Sequence, residues 1–416
     1  MVAGNMIGAG VLALPAVARA PGFWMSSGAM VGVWAYCLAT GLLIAEVCSG
    51  DSRTSIQKMA EATMGPVWGN LMCTGFLVSN YLLMVAYICQ GSTMLVGMPL
   101  PSSDLTGALF EPHLATVLFT VLVGGSSLWG PAKLVEGANN ALVAVIVTSF
   151  IGLMAIGLPN VDVSSLSSTW DITTLPSMLP VAVCALVFQN VVPVVSNQLQ
   201  GDMTKIRAAI TMGSGLPLIL YILWNAVILG HVAAEVPPDP SLVSSTMDAV
   251  ASAPLSPIES LGADVSELGV LLGTFSFAAL VTSFWGAAIS LMTECTQLIE
   301  SFALGPPHMP SDVQLTSPSK VVENQALIKA GSALLVLVPP ALVSIMCPDS
   351  FLSALQYSGI YADPLLYGLA PAVMAWKVRS SDPLHNAQIP GGKAGLCGII
   401  GLTVGFMAWQ TVLRTL

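Results

Sequence analysis

Apolar stretches of about 20 residues follow one another along the whole chain, separated by short polar connections, and about 20 residues is the length a helix needs to cross a bilayer core. Hydropathy and helix breakers predict eleven spans, at residues 2–18, 26–48, 71–96, 114–130, 140–158, 177–198, 211–231, 267–299, 326–347, 352–376 and 394–413. None alternates with period two, so a transmembrane β-barrel is not expected. The longest polar segment, 233–266, opens on Pro237-Pro238-Asp239-Pro240 and is predicted to be an outer loop carrying a short surface helix over 242–251.

Composition sharpens the class. Of 416 residues, 55% are hydrophobic and 8% charged, against roughly 25% charged in an ordinary soluble domain. That inventory cannot make a water-facing surface, and it excludes a soluble enzyme or a disordered chain. A net charge of -10 with 12 Lys plus Arg excludes a nucleic-acid binder. The eight cysteines are scattered without a CxxC pair and read as small packing residues. His113, His231, His308 and His385 fall in connections or at span ends, so neither a metal cluster nor a nucleophile–base pair can be assembled and no cofactor is expected.

The cations orient the spans. Arg53, Lys58, Lys133, Lys205, Arg207, Lys320, Lys329, Lys377, Arg379 and Lys393 fall on one side, and only Arg19 and Arg414 on the other. By the positive-inside rule the first side is the cytoplasm, or the stroma or matrix of an organelle, which puts the amino terminus inside and the carboxyl terminus outside. Met1 stands only a few residues before the Gly8-Ala9-Gly10 break, so the first span is expected to be truncated at its amino-terminal end, where a leader would otherwise be read.

Two spans carry breakers at their centres. Gly4-Asn5-Met6-Ile7-Gly8-Ala9-Gly10, followed by Ala13-Leu14-Pro15, interrupts the first, and Phe188-Gln189-Asn190-Val191-Val192-Pro193 interrupts the sixth. Unpaired backbone is tolerated in the bilayer only where it lines a cavity. Interruptions five spans apart are the pattern of an inverted-repeat secondary transporter, whose half-helix ends attract a carboxylate while the freed carbonyls attract a cation or ammonium. Close helix packing at glycine is the other reading of each cluster alone.

Other buried polar groups are open to two readings each. Gln189 and Asn190 either bond substrate or satisfy the opened backbone; Asn80, Tyr81, Tyr87 and Gln90 either face a cavity or bond between helices; Thr282 and Ser283 either form a site or bond their own helix. Glu46 and Glu294 lie near inner span ends, where snorkelling or a local ion pair accounts for them. Asp363, before Pro364, lies near the midplane, where an acid is functional by default. It is a candidate proton carrier, or else the cap of a broken helix.

With these residues in hand, Asn5-Met6-Ile7-Gly8-Ala9-Gly10-Val11-Leu12-Ala13-Leu14-Pro15 resembles the first-helix signature of the tryptophan/tyrosine permeases, the hydroxy and aromatic amino acid permease family of the amino acid-polyamine-organocation superfamily. Phe188 to Pro193, Gly201-Asp202 with Lys205-Ile206-Arg207, Gly213 to Trp224, Phe277 to Leu291, Pro339-Pro340, Cys347 to Phe351 and Tyr367 to Ala372 continue the likeness over essentially the whole chain. The resemblance implies an all-α membrane protein of the leucine-transporter type: eleven spans, repeats over 1–158 and 159–376, an extra helix over 377–416, and broken helices 1 and 6.

It further implies proton-coupled symport of tryptophan, tyrosine or a related amino acid. Carried over by position, the backbone of Ile7, Gly8, Ala9 and Gly10 would receive the substrate carboxylate. Phe188, Gln189 and Asn190 would line the amine and side-chain pocket, and Tyr87 would face it. Thr282 and Ser283 fall where sodium-coupled relatives of the fold bind a cation. Some members carry a lysine early in the fifth helix, where this chain reads Gly137-Ala138-Asn139-Asn140, so that proton switch is missing here. The expected partners are an amino acid, a proton or else sodium as coupling ion, and the bilayer of a plasma membrane or plastid inner envelope. A monomer suffices. The rival readings are a carrier of other neutral amino acids or small solutes, a channel, and an intramembrane enzyme, against which the lack of a catalytic pair weighs.

Overall fold

The computed structural model describes residues 2–8, 10–48, 55–96, 112–161, 163–167, 170–232, 266–304, 318–381, 388 and 392–415. Every regular element among them is helical, as lipid requires of a chain that must satisfy its own backbone. Among the described residues, nine segments are long and apolar enough to cross a membrane: Phe23–Cys48, Pro66–Val96, Pro112–Trp129, Ala132–Asn160, Ile172–Gln198, Met203–Gly230, Gly269–Glu300, Leu327–Met346 and Gly392–Thr415. They correspond to spans 2 to 9 and 11 of the sequence. The residues of spans 1 and 10 are helical in shorter pieces. Span 1 consists of Val2–Met6 and Gly10–Ala18, and span 10 runs through Phe351–Tyr357, two π-helical turns over Ser358–Ala362 and Leu365–Leu369, and Ala370–Ser381.

Several boundaries depart from the hydropathy reading, among them the start of span 7 at Met203 and of span 3 at Pro66. Span 5 begins at Ala132, eight residues early, because Gly130-Pro131 is the true breaker and the polar Asn139 and Asn140 ride inside the helix. The connection between spans 2 and 3 holds a further helix, Ile56–Met64, whose first turn is capped by the Ser55 hydroxyl accepting from the Lys58 N–H at 3.4 Å. It stops at Gly65, whose φ of 100° suits glycine alone, and Pro66 opens the next helix. The surface helix expected at 242–251 lies outside the described residues.

Spans 1, 2, 6 and 7 pack on one another, while spans 3, 4, 5, 8 and 9 make a second group in which span 8 lies against spans 3, 4, 5 and 9. Span 10 touches spans 2, 3, 6 and 11 and so stands between the groups. Prolines inside spans free carbonyls four residues back, and at two of them a polar side chain from a neighbour takes up the freed acceptor. Tyr81 of span 3 donates to Leu335 O at 2.8 Å, the acceptor orphaned by Pro339. Gln410 of span 11 donates to Pro176 O at 2.8 Å, orphaned by Pro180.

The ends of the spans are fastened as well. Asp202, in the turn before span 7, accepts from the Thr204 and Lys205 N–H groups at 3.1 and 3.2 Å and pairs with the Lys205 ammonium at 3.0 Å. The Lys205 contacts hold its carboxyl below the usual carboxylate range. Glu46, ending span 2, takes a two-pronged ion pair from Arg379 of span 10, at 2.6 and 2.8 Å, and a third bond from the Gln388 N–H at 2.8 Å. Both charged side chains are almost fully buried, so this is the local ion pair of the two readings the sequence left open for Glu46.

Candidate functional site

The Val2–Met6 helix ends with the Ile7 N–H bonded to Ala3 O at 3.0 Å; Ile7 and Gly8 bend, and the helix resumes from Gly10 with Val11 N–H on Gly8 O at 3.1 Å. In span 6, Leu175–Leu186 stops at an extended Val187, Phe188 departs from helical angles, and Gln189–Val191 form one 3-10 turn before Val192–Gln198. Gly and Pro placed the breaks. Their partners hold them open.

The two breaks face each other. Asn5 and Asn190 exchange amide hydrogen bonds at 3.0 and 3.2 Å, and Asn5 Nδ2 also lies 3.4 Å from Val187 O. A buried phenol from span 7, Tyr221, donates to Met6 O with Ala185 O 3.5 Å away, so one hydroxyl sits between a freed carbonyl of each break. The backbones nearly touch: a Cβ on Gly10 would stand 3.1 Å from Ala185 Cα.

Phe188 and Gln189 turn toward span 2. The Phe188 ring is fully buried, 2.9 Å from where a Cβ on Gly41 would lie. Gln189 accepts from the Phe188 N–H at 2.8 Å and donates to Thr40 Oγ1 at 3.0 Å and Cys37 O at 3.3 Å. Its amide is therefore engaged in satisfying the opened backbone from behind.

Spans 3 and 8 close the opposite side of the first break. Tyr87 lies beside Ser283, and Ser283 Oγ lies 2.5 Å from a Cβ built on Gly8. Thr282 donates to Ala278 O and Ala279 O of its own helix, both at 3.0 Å. Thus Gly8, Tyr87, Ser283, Asn5 and Asn190 gather around the interruptions, while Ala9 lies outside the described residues. Of the other polar positions, Asn80 donates to Phe76 O one turn back at 2.9 Å, Gln90 is buried, and Glu294 is half-buried.

A second polar cluster adjoins span 6. Asp363 is buried; Ser79 of span 3 donates to its Oδ1 at 2.9 Å and Ser358 of span 10 to its Oδ2 at 3.2 Å, with the two hydroxyls 3.0 Å apart. The Cys184 thiol of span 6 lies beside the carboxyl as well. Both π-helical turns of span 10 flank Asp363, and such turns collect at functional sites because they re-aim side chains and free backbone groups. Sequence reasoning passed over Tyr221, Ser79, Ser358 and Cys184. Their only signal was a polar atom at mid-span. Among the described residues no group of three or more His, Cys, Asp or Glu side chains could hold a metal ion.

A model of the tryptophan/tyrosine permease family matches residues 1–305 and 314–410. The chain is 27% identical to the tyrosine-specific transport system 2 of Haemophilus influenzae, with 97% of the chain and 92% of that protein covered. It is 24% identical to the tryptophan-specific transport protein of the same organism, covering 94% and 89%. It is also 24% identical to glutamine transporter 2 of Aliivibrio fischeri, covering 98% and 95%.

Proposed function

Because this chain belongs to the tryptophan/tyrosine permease family, we propose that it is a secondary transporter that carries an aromatic amino acid, tryptophan or tyrosine, together with a proton across a membrane by alternating access. The observation that carries the reading is the pair of helix interruptions held face to face by Asn5 and Asn190. Half-helix ends at that point present N–H groups to a carboxylate and carbonyls to an ammonium, the two charges of a zwitterion. The chemistry is binding and release, with no bond of the substrate made or broken.

In this reading the chain crosses the membrane eleven times, with five-span repeats over 1–158 and 159–376 related by inversion, and span 11 added outside them. The main chain from Ile7 to Gly10 takes the carboxylate. Asn190, Tyr87 and Ser283 bound the pocket, and Phe188 and Gln189 brace its far wall against span 2. Asp363 carries the coupling proton. Spans 1, 2, 6 and 7 move as a body against spans 3, 4, 8 and 9, a division their packing supports. Each ligand drives the motion only through its differential affinity for the two states. The cation-rich connections face the inner side of a plasma membrane or plastid inner envelope.

A second reading, a carrier of other neutral amino acids, draws on the name of the Aliivibrio fischeri relative. Uptake of radiolabelled tryptophan and tyrosine by proteoliposomes, with and without an imposed pH gradient and with unlabelled amino acids as competitors, separates them. Saturable accumulation driven by acid outside and blocked by aromatic amino acids is expected; blockade by glutamine but not by tyrosine would favour the second reading, and accumulation that follows a sodium gradient alone would refute proton coupling.

A further inference from the structure

We infer that Gly41 of span 2 sets the size of the substrate side chain that the site accepts, because the space left by its missing side chain keeps the Phe188 ring out of the pocket. The inference rests on the reading above, in which the paired breaks hold an amino acid, and adds to it the residue that decides which side chain fits.

The residues of the span 6 break point two ways. Val187 O and the Asn190 amide face Asn5 of span 1, and both asparagines are exposed, so the space beside them is open. Phe188 and Gln189 go to span 2 instead. Gln189 fixes that direction, since its oxygen accepts from the Phe188 N–H at 2.8 Å while its amide donates to Thr40 Oγ1 at 3.0 Å and to Cys37 O at 3.3 Å. Thr40 is oriented in turn by donating to Cys37 O at 3.1 Å. The Phe188 ring then lies over the next residue, Gly41.

That place exists only while position 41 is glycine. A Cβ there would stand 2.9 Å from Phe188 Cε2 and 3.1 Å from Cζ, inside the roughly 3.5–4.0 Å at which carbon atoms pack. The surrounding stretch of span 2 offers no spare room, for Cys37, Thr40, Leu43 and Ile44 are all buried and protein interiors are close-packed. Nor can span 2 draw back. Trp34 donates to Ser214 Oγ of span 7 at 3.0 Å, the Tyr36 hydroxyl lies 2.8 Å from Thr403 Oγ1 of span 11, and Glu46 holds Arg379 of span 10.

A methyl at position 41 therefore displaces the ring, and the open space lies on the other side of the segment, between the breaks. A ring turned that way fills the volume a substrate side chain needs, so an indole is excluded before a phenol. Glycine that served only the close packing of spans 2 and 6 would behave differently: its replacement would weaken every substrate alike.

Uptake of radiolabelled tryptophan and tyrosine by the full chain in proteoliposomes tests this through the tryptophan-to-tyrosine ratio of Vmax/KM. Gly41→Ala lowers that ratio about tenfold, the effect of a methylene too many in an apolar pocket, and Gly41→Ser, of similar volume, does the same. Adding Phe188→Ala to Gly41→Ala removes the displaced ring and returns the ratio to within about threefold of the unmodified chain. An unchanged ratio in both single variants would overturn the role of Gly41, whether uptake as a whole falls or not, as would a double variant no better than Gly41→Ala. Uptake of neither amino acid by the unmodified chain would overturn the aromatic reading and the size filter with it.

Discussion

Asn5 and Asn190, 185 positions apart in the chain, exchange reciprocal amide hydrogen bonds at 3.0 and 3.2 Å across two interrupted helices. The pair ties the break in span 1 to the break in span 6. Each bond is worth about 0.5–1.5 kcal/mol net. Asn5→Ala and Asn190→Ala are each expected to weaken tyrosine or tryptophan binding by roughly three- to tenfold, and the double variant no more than the worse single one. Additive losses in a double-mutant cycle of Kd values would mean that the two residues act separately.

A methyl on Gly8 would stand 2.5 Å from Ser283 Oγ but 3.6 Å from Ser283 Cβ, so the clash is with the hydroxyl alone. Gly8→Ala is expected to lower uptake by about tenfold or more, since small displacements at a binding site are amplified in rate. Adding Ser283→Ala removes the clashing atom and restores part of the activity. If the double variant is no better than Gly8→Ala while Ser283→Ala alone is active, the steric account of Gly8 fails.

Glu46 and Arg379 lock the ends of spans 2 and 10 together away from water. Arg379→Ala leaves a buried carboxylate without its counter-charge and is expected to cost about 3–5 kcal/mol. Thermal unfolding of the purified protein in detergent should fall clearly for Arg379→Ala and less for the pair Glu46→Gln with Arg379→Gln. Equal midpoints for Arg379→Ala and the unmodified chain would show the pair to be solvated.

Most of the helices were legible in the apolar runs, because the bilayer fixes their length. The two breaks were legible too, since Gly8, Gly10 and Pro193 cannot hide in a regular helix. What the chain could not reveal was direction. Phe188 and Gln189 lie where helical periodicity is lost, so nothing in their order told that both turn to span 2 rather than to a pocket. Tyr221 lies within a run of ordinary span residues, and its role at Met6 O depends on a contact 215 positions away. Cys184 was counted with seven other cysteines as packing, and only the approach of Asp363 from another span distinguishes it. Nothing in the order of its residues announced that span 10 departs from the α-helix in two π-helical turns on either side of that acid.

Direct binding of radiolabelled tyrosine or tryptophan to the purified protein, compared between the unmodified chain and Gly8→Val, tests most simply whether the paired breaks are the amino acid site. Saturable binding that disappears in a variant still folded and monodisperse is the expected result. Binding of both amino acids by Gly8→Val with unchanged affinity would contradict it.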